Sequence, residues 1–215
     1  MARARRHQRL LSVLAFGLIA LAAELLGRSL THRLDFGRHV ATPSYSGTDY
    51  YPILLGVVKT GIAHVPEGRR LFAGLTVREN LQVGAYARGG KADIERAVGL
   101  FPRLGERLDQ VAGSMSGGEQ QMCAIARGLM ADPKLIMIDE LSLGLAPNLV
   151  EQILERLTSV TEAGTAVLLV EQDVDAALET AARGYVLENG RIVAAGESAS
   201  LLDDPRIREA YLGVT

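Results

Sequence analysis

Leu135-Ile136-Met137-Ile138-Asp139-Glu140 is the stretch whose reading decides the fold. Four apolar residues, preceded by Pro133 and Lys134, run directly into two adjacent carboxylates. Such a run suits a strand buried on both faces, the kind found inside parallel sheets. In a nucleotide site, the first acid at such a strand end helps hold Mg²⁺, and the second can polarise an attacking water. Alone, the stretch is equally a strand entering a polar loop. Upstream lies Ser116-Gly117-Gly118-Glu119-Gln120, directly before a helical period at Met122, Ile125, Ala126, Leu129 and Met130. Ser is a good N-cap, and two glycines let the backbone approach a ligand closely. The free N–H groups and the helix dipole then form an anion site. A Ser-Gly-Gly by itself is an ordinary capped helix. The two motifs in this order are more specific than either.

Working outward, residues 61–65 read as a short strand ending in Pro66-Glu67-Gly68, and residues 93–101 and 149–160 read as helices. Residues 166–170 read as a second buried strand. Residues 185–187 and 192–194 flank Asn189-Gly190, a strong hairpin signal because both turn positions tolerate positive φ. Strand, helix, strand, helix and hairpin predict an α/β domain with parallel core strands.

The chain of 215 residues allows one good core and a small appendage. With 48% apolar and 22% charged residues, it is neither disordered nor fibrous. Seven Arg face only Glu24 and Asp35 within residues 1–40, which leaves the remainder acidic. An acidic body argues against a nucleic-acid partner. The single cysteine, Cys123, excludes an internal disulfide, and its apolar helical setting reads as a buried side chain.

Residues 1–60 read differently. Arg3, Arg5, Arg6 and Arg9 precede an apolar run at 10–26 broken only by Ser12 and Glu24. That is at the short end for a membrane helix, which usually needs about 20 residues. The basic flank would hold the N-terminus in the cytoplasm. A signal peptide with Ala20-Leu21-Ala22 as its cleavage site, or a buried helix, are the rivals.

From about residue 61 to 215 the chain resembles the ATP-binding subunits of ABC transporters, and among them those of branched-chain amino-acid importers. Met115 to Gln121 is similar to the signature motif, and Leu135 to Glu140 to Walker B. Ser142-Leu143-Gly144-Leu145-Ala146-Pro147 resembles the importers' D-loop. Val65-Pro66-Glu67-Gly68-Arg69-Arg70-Leu71-Phe72 resembles their Q-loop, with Glu where other ABC ATPases often have Gln. Val170-Glu171-Gln172-Asp173 resembles their switch region, with Gln172 where most have His.

The resemblance implies an incomplete P-loop NTPase domain, α/β with a parallel core sheet and a helical signature subdomain; the hydrophobic N-terminal helix read at residues 10–26 precedes it and is no part of the resemblance. It implies ATP and Mg²⁺ as cofactors, Asp139 and Glu67 at the metal, and Glu140 and Gln172 as catalytic residues. Glu67, Ser116, Gly117, Gly118, Glu119 and Gln120 are the implied nucleotide-binding residues. The implied partners are a second ATP-binding subunit, permease subunits and, indirectly, a substrate-binding protein, all at the cytoplasmic face of the membrane. Two departures stand out. No Gly-x4-Gly-Lys-Ser/Thr (Walker A) occurs: Lys59 follows Val58, Lys134 follows Pro133, and Lys91 follows Gly90 but has Ala85 in place of the first glycine and Ala92 in place of the hydroxyl. That portion in the family also supplies a strand beside the equivalent of residues 135–138, so the domain is expected to be incomplete. Leu141 stands where the family usually has Pro.

Two functions follow. One is an ATP-binding subunit that energises import in a pair of ATP-binding chains, either peripheral or anchored by residues 10–26. The other is a non-catalytic remnant or chimera with a membrane-protein start. The second draws on topology, because one inserted span would carry residues 27–215 out of the cytoplasm. An ABC ATPase of DNA repair would need coiled-coil heptads or a basic surface, and neither occurs.

Overall fold

The structure, a computed structural model, describes residues 61–86, 89–188 and 191–211. The expectations for residues 10–26 and for the Asn189-Gly190 turn fall outside them. The chain divides into two units, 1–56 with 187–191 and 57–186 with 192–215, and the three-stranded sheet and its helices lie in the second. Among the described residues no helix is long and apolar enough to cross a membrane.

Three parallel strands form the sheet, β1 (Ile62–Val65), β2 (Leu135–Asp139) and β3 (Ala166–Val170), in the order β1-β2-β3. β2 is central, and its apolar run is buried throughout. Leu135, Ile136, Met137 and Ile138 are all buried, and Ile62 and Ala166 both stand level with Leu135. Both edges of β2 are therefore occupied, which corrects the expectation of a further strand beside residues 135–138. β3 also departs from the buried strand read in the sequence. Ala166 is exposed and the next four residues are half-buried, because among the described residues β3 pairs on one edge only.

Between β1 and β2 the chain forms α1 (Val77–Gly84), α2 (Ile94–Leu100), α3 (Pro102–Gly105) and α4 (Gly117–Leu129). This is the helical signature region the resemblance implies. α4 is its axis, with Met122, Cys123, Ala124, Ile125, Ala126 and Leu129 all buried. Two glycines set how closely it packs. A Cβ on Gly84 would meet the Arg127 carbonyl oxygen at 2.1 Å, where α1 crosses α4. A Cβ on Gly128 would lie 3.1 Å from Ile136 and 3.3 Å from Val65, where α4 lies on the sheet.

α5 (Pro147–Glu162) starts with Pro at its first turn, which needs no N–H there. It buries Ile153, Leu157 and Val160 and leads into β3. α6 (Val174–Thr180) follows, then β4 (Arg183–Glu188) paired with β5 (Arg191–Glu197), then α7 (Ser198–Leu202) and α8 (Pro205–Tyr211). Cys123 is fully buried, and burial pushes its thiol up to about 11, so it is packing and not chemistry.

Candidate functional site

Parallel strands deliver their following loops to the same edge of a sheet, and α/β ligand sites form there. Here β1 leads into Glu67, β2 ends in Asp139 and Glu140, and β3 leads into Glu171 and Gln172. Four carboxylates thus gather at one edge. Their mutual influence is visible at Asp139, whose pKa is raised by burial first and then by the charges of Glu140, Glu67 and Glu171.

Glu140 is held in an unusual conformation. Its φ is +48°, in the left-handed region, and its N–H donates to the Val170 carbonyl at 2.8 Å. Leu141 leaves Glu140 free of the restriction that a following Pro imposes on the preceding residue. The Leu141 side chain is itself buried in the core. Gln172 Nε2 donates to Glu140 Oε1 at 2.5 Å, so the two expected catalytic side chains are hydrogen-bonded to each other. Beside them Glu171 accepts from the Ser142 N–H at 3.0 Å and from Ser142 Oγ at 2.7 Å.

The signature segment is built as a capping box. Ser116 caps α4, its N–H and Oγ donating to Glu119 Oε2 at 3.0 and 2.8 Å, while its Oγ accepts from the Glu119 N–H at 3.4 Å. Burial opposes ionisation of Glu119, but the Ser116 hydrogen bonds and the Arg107 charge outweigh it and the pKa is lowered. Arg107 Nε lies 2.7 Å from Glu119 Oε1, without the alignment of a hydrogen bond. These contacts take the Ser116 and Glu119 N–H groups and leave those of Gly117 and Gly118 at the helix start. Gln120 is turned inward, its Nε2 donating to the carbonyls of Ala112 and Met115 at 3.3 and 3.2 Å. Gly118 has a packing reason as well, since a Cβ there would fall 1.9 Å from Leu149 Cδ2 on α5. No hydrogen bond or ion pair among the described residues joins residues 116–120 to the carboxylate edge.

The Glu67 loop is tied to α4 by a residue that sequence reading missed. Arg127 donates from Nη1 to the Arg70 carbonyl at 2.8 Å and from Nη2 to the Arg69 carbonyl at 3.3 Å. Its guanidinium also stands over the Phe72 ring, 5.6 Å from the centroid. Arg69 and Arg70 have φ of +65° and +45°, a conformation two successive non-glycine residues hold only with such support. Asn80, fully buried on α1, fixes the far end of the loop by accepting from the Phe72 N–H at 3.0 Å and donating to its carbonyl at 3.1 Å. Both residues look like ordinary helix residues in the sequence.

The fold and this edge define a nucleotide-handling α/β domain: acids at parallel strand ends and a capped glycine helix start. Comparison with known proteins agrees. The family model described as ABC transporter matches residues 44–142, a span that starts upstream of residue 61. The high-affinity branched-chain amino acid transport ATP-binding protein BraG of Pseudomonas aeruginosa is 51% identical over 160 residues, covering 73% of this chain and 69% of the relative. A probable branched-chain amino acid transport ATP-binding protein, LivF, of Archaeoglobus fulgidus is 36% identical, covering 73% and 68%. The solved ADP conformation of an ATP-binding cassette of an ABC transporter superposes with a TM-score of 0.60 at 28% identity, over 74% of this chain and 71% of that one. The chain belongs to the family of ABC-transporter ATP-binding subunits, in the branch that carries the branched-chain amino-acid type.

Proposed function

We propose that the chain is an ATP-binding subunit of a branched-chain amino-acid importer and works at the cytoplasmic face of the membrane. The observation that carries this reading is the Glu140–Gln172 contact beside Asp139, which sets a water-polarising acid and a hydrogen-bonding switch residue together at one sheet edge. Its partners are a second ATP-binding chain and permease subunits, with a substrate-binding protein acting indirectly. Ser116 to Gln120, through the Gly117 and Gly118 N–H groups, meets the γ-phosphate of ATP held by the partner chain.

Mg²⁺ fits the carboxylate edge. The donors are hard oxygens, and the charges raising Asp139's pKa are not offset by any described Lys or Arg. Among the described residues no three acids, His or Cys are placed to hold a metal alone, so phosphate oxygens would complete the shell around Asp139 and Glu67. The ion, when bound, neutralises charge on the phosphates. Asp139 and Glu67 orient it, Glu140 receives the proton of the attacking water, and Gln172 holds Glu140 in place.

The test is reconstitution with a second ATP-binding subunit, permease and binding protein in vesicles, followed by ATP-dependent uptake of leucine. Uptake that stops with Glu140→Gln supports the reading. Equal uptake with and without this chain overturns it and leaves the non-catalytic remnant.

A further inference from the structure

We infer that Glu171 and Ser142 form a bracket between the ends of β2 and β3 that positions the Glu140–Gln172 pair. Glu171 is then a positioning residue of the hydrolytic site, an assignment that rests on the roles proposed above for Glu140 and Gln172.

The argument starts from register. Asp139 stands opposite Val170 where the two parallel strands end, so Glu140 and Glu171 leave the sheet in step. The bond from the Glu140 N–H to the Val170 carbonyl extends the ladder by one residue. Beyond it Glu140 takes a left-handed φ of +48°. No further backbone bond joins residues 141–145 to residues 171–173 among those described.

Two side-chain links span the gap, in opposite directions. Gln172 reaches back to Glu140, and Glu171 takes both donors of Ser142, one on each carboxylate oxygen. The links differ in kind. Gln172 is exposed, and a hydrogen bond between long side chains in water is close to neutral once their rotamer freedom is counted. Left to itself, that pair would be made only part of the time. The Ser142–Glu171 contact is half-buried, ionic on the acceptor side, and made by two donors of one residue, which fixes orientation as well as distance. Among the described residues both hydrogen-bond donors to Glu171 come from Ser142. The carboxylate is thus devoted to pinning the loop after β2 against the loop after β3. Glu140 lies two residues before Ser142, and Gln172 lies one after Glu171. Holding the first contact brings the second within reach.

The geometric test uses the full chain and the side-chain amide of Gln172, labelled with ¹⁵N and assigned through Gln172→Ala. In the parent this amide exchanges slowly and stands apart from free glutamine. Glu171→Ala is expected to speed its exchange about tenfold, the loss of one charge-assisted contact, and to return it to the free position. Ser142→Ala, which keeps the N–H, gives a smaller change. Glu171→Gln, which keeps one accepting oxygen, is largely rescued. An unchanged methyl spectrum elsewhere shows that the fold survives. A Gln172 signal identical in the parent, Ser142→Ala and Glu171→Ala overturns the bracket.

The functional arm uses the reconstituted transporter. Glu171→Ala should lower kcat for ATP about tenfold with KM unchanged. Turnover lost in Glu140→Gln but kept in Glu171→Ala overturns the bracket, whereas turnover that survives Glu140→Gln overturns the proposed hydrolytic site.

Discussion

At the scale of single residues the carboxylate edge carries a cost that the sequence motif conceals. Asp139 is raised above its ordinary value of 3.8 by burial and by Glu140, Glu67 and Glu171. A raised carboxyl pKa means that the folded state holds the proton more tightly than the unfolded chain does. Stability therefore falls as pH rises from the unfolded value through the folded one, and at neutral pH ionised Asp139 works against folding. Asp139→Asn should melt about 2 °C higher than the parent at pH 7 without nucleotide, a small fraction of a domain's stability. The advantage should shrink as pH falls through the raised pKa of Asp139 in the folded chain, because the parent's own carboxyl then takes up its proton. Differential scanning fluorimetry across that range checks the sign, and a lower melting temperature for Asp139→Asn at pH 7 contradicts it. Glu119 has the opposite sign. Its lowered pKa means a contribution present above the unfolded value and lost as pH falls through the folded one.

At the scale of elements, the signature helix shows how one glycine serves packing. Replacing glycine by alanine inside a helix normally stabilises it, by about 1 kcal/mol. At Gly118 the new Cβ would overlap Leu149 Cδ2, so Gly118→Ala is expected to destabilise by about 1–3 kcal/mol. Gly118→Ala with Leu149→Ala should recover part of the loss, and a denaturant titration of the single and double variants measures it. Equal stability of parent and Gly118→Ala would show that α5 yields freely. The Glu67 loop offers a second element-scale test, because Arg69 and Arg70 are trypsin sites held by Arg127. Arg127→Leu should speed cleavage there, while Arg127→Lys, a point charge without a planar fork, protects only in part. Cleavage rates that do not change with Arg127→Leu would remove the clamp from the account.

At the scale of the whole molecule, the 215 residues contain no Gly-x4-Gly-Lys-Ser/Thr, and so no phosphate-cradling glycine loop with its Lys. In the roles proposed above Asp139 and Glu140 address metal and water, and alone they do not grip a triphosphate, so ATP would be held beside them only in the assembled pair of chains. The isolated chain is expected to show no ATP binding at micromolar concentrations by calorimetry, and a signal competed by ADP would contradict that. With a competent partner chain the signature segment should still act. Ser116→Arg would place a long side chain over the Gly117 and Gly118 N–H groups and cost about a hundredfold or more in stimulated turnover. Equal rates with and without that substitution would show that the segment is not used in trans.

Much of this molecule was readable from the chain alone, where local rules suffice. The run at 135–138 announced a buried parallel strand, because only two covered faces accommodate four consecutive apolar residues. Ser116 announced a helix start and formed a capping box with Glu119, since that bonding spans three residues. The same signal at Thr76 and Glu79 opens α1, and it was there to be read. The acids at 139 and 140 and the Gln at 172 were singled out by their motifs, and the structure places them at one sheet edge. What only the tertiary structure decided depends on residues far apart in the chain. Arg127 and the Glu67 loop, Gly118 and Leu149, and Ser142 and Glu171 meet because three strands lie side by side and α4 crosses them. That β3 lies at the edge and half-exposed was likewise hidden, because its five apolar residues look the same whether one edge is paired or two. Periodicity and capping are properties of neighbours in sequence, whereas strand order and the partner of a buried side chain are fixed only when the whole sheet assembles.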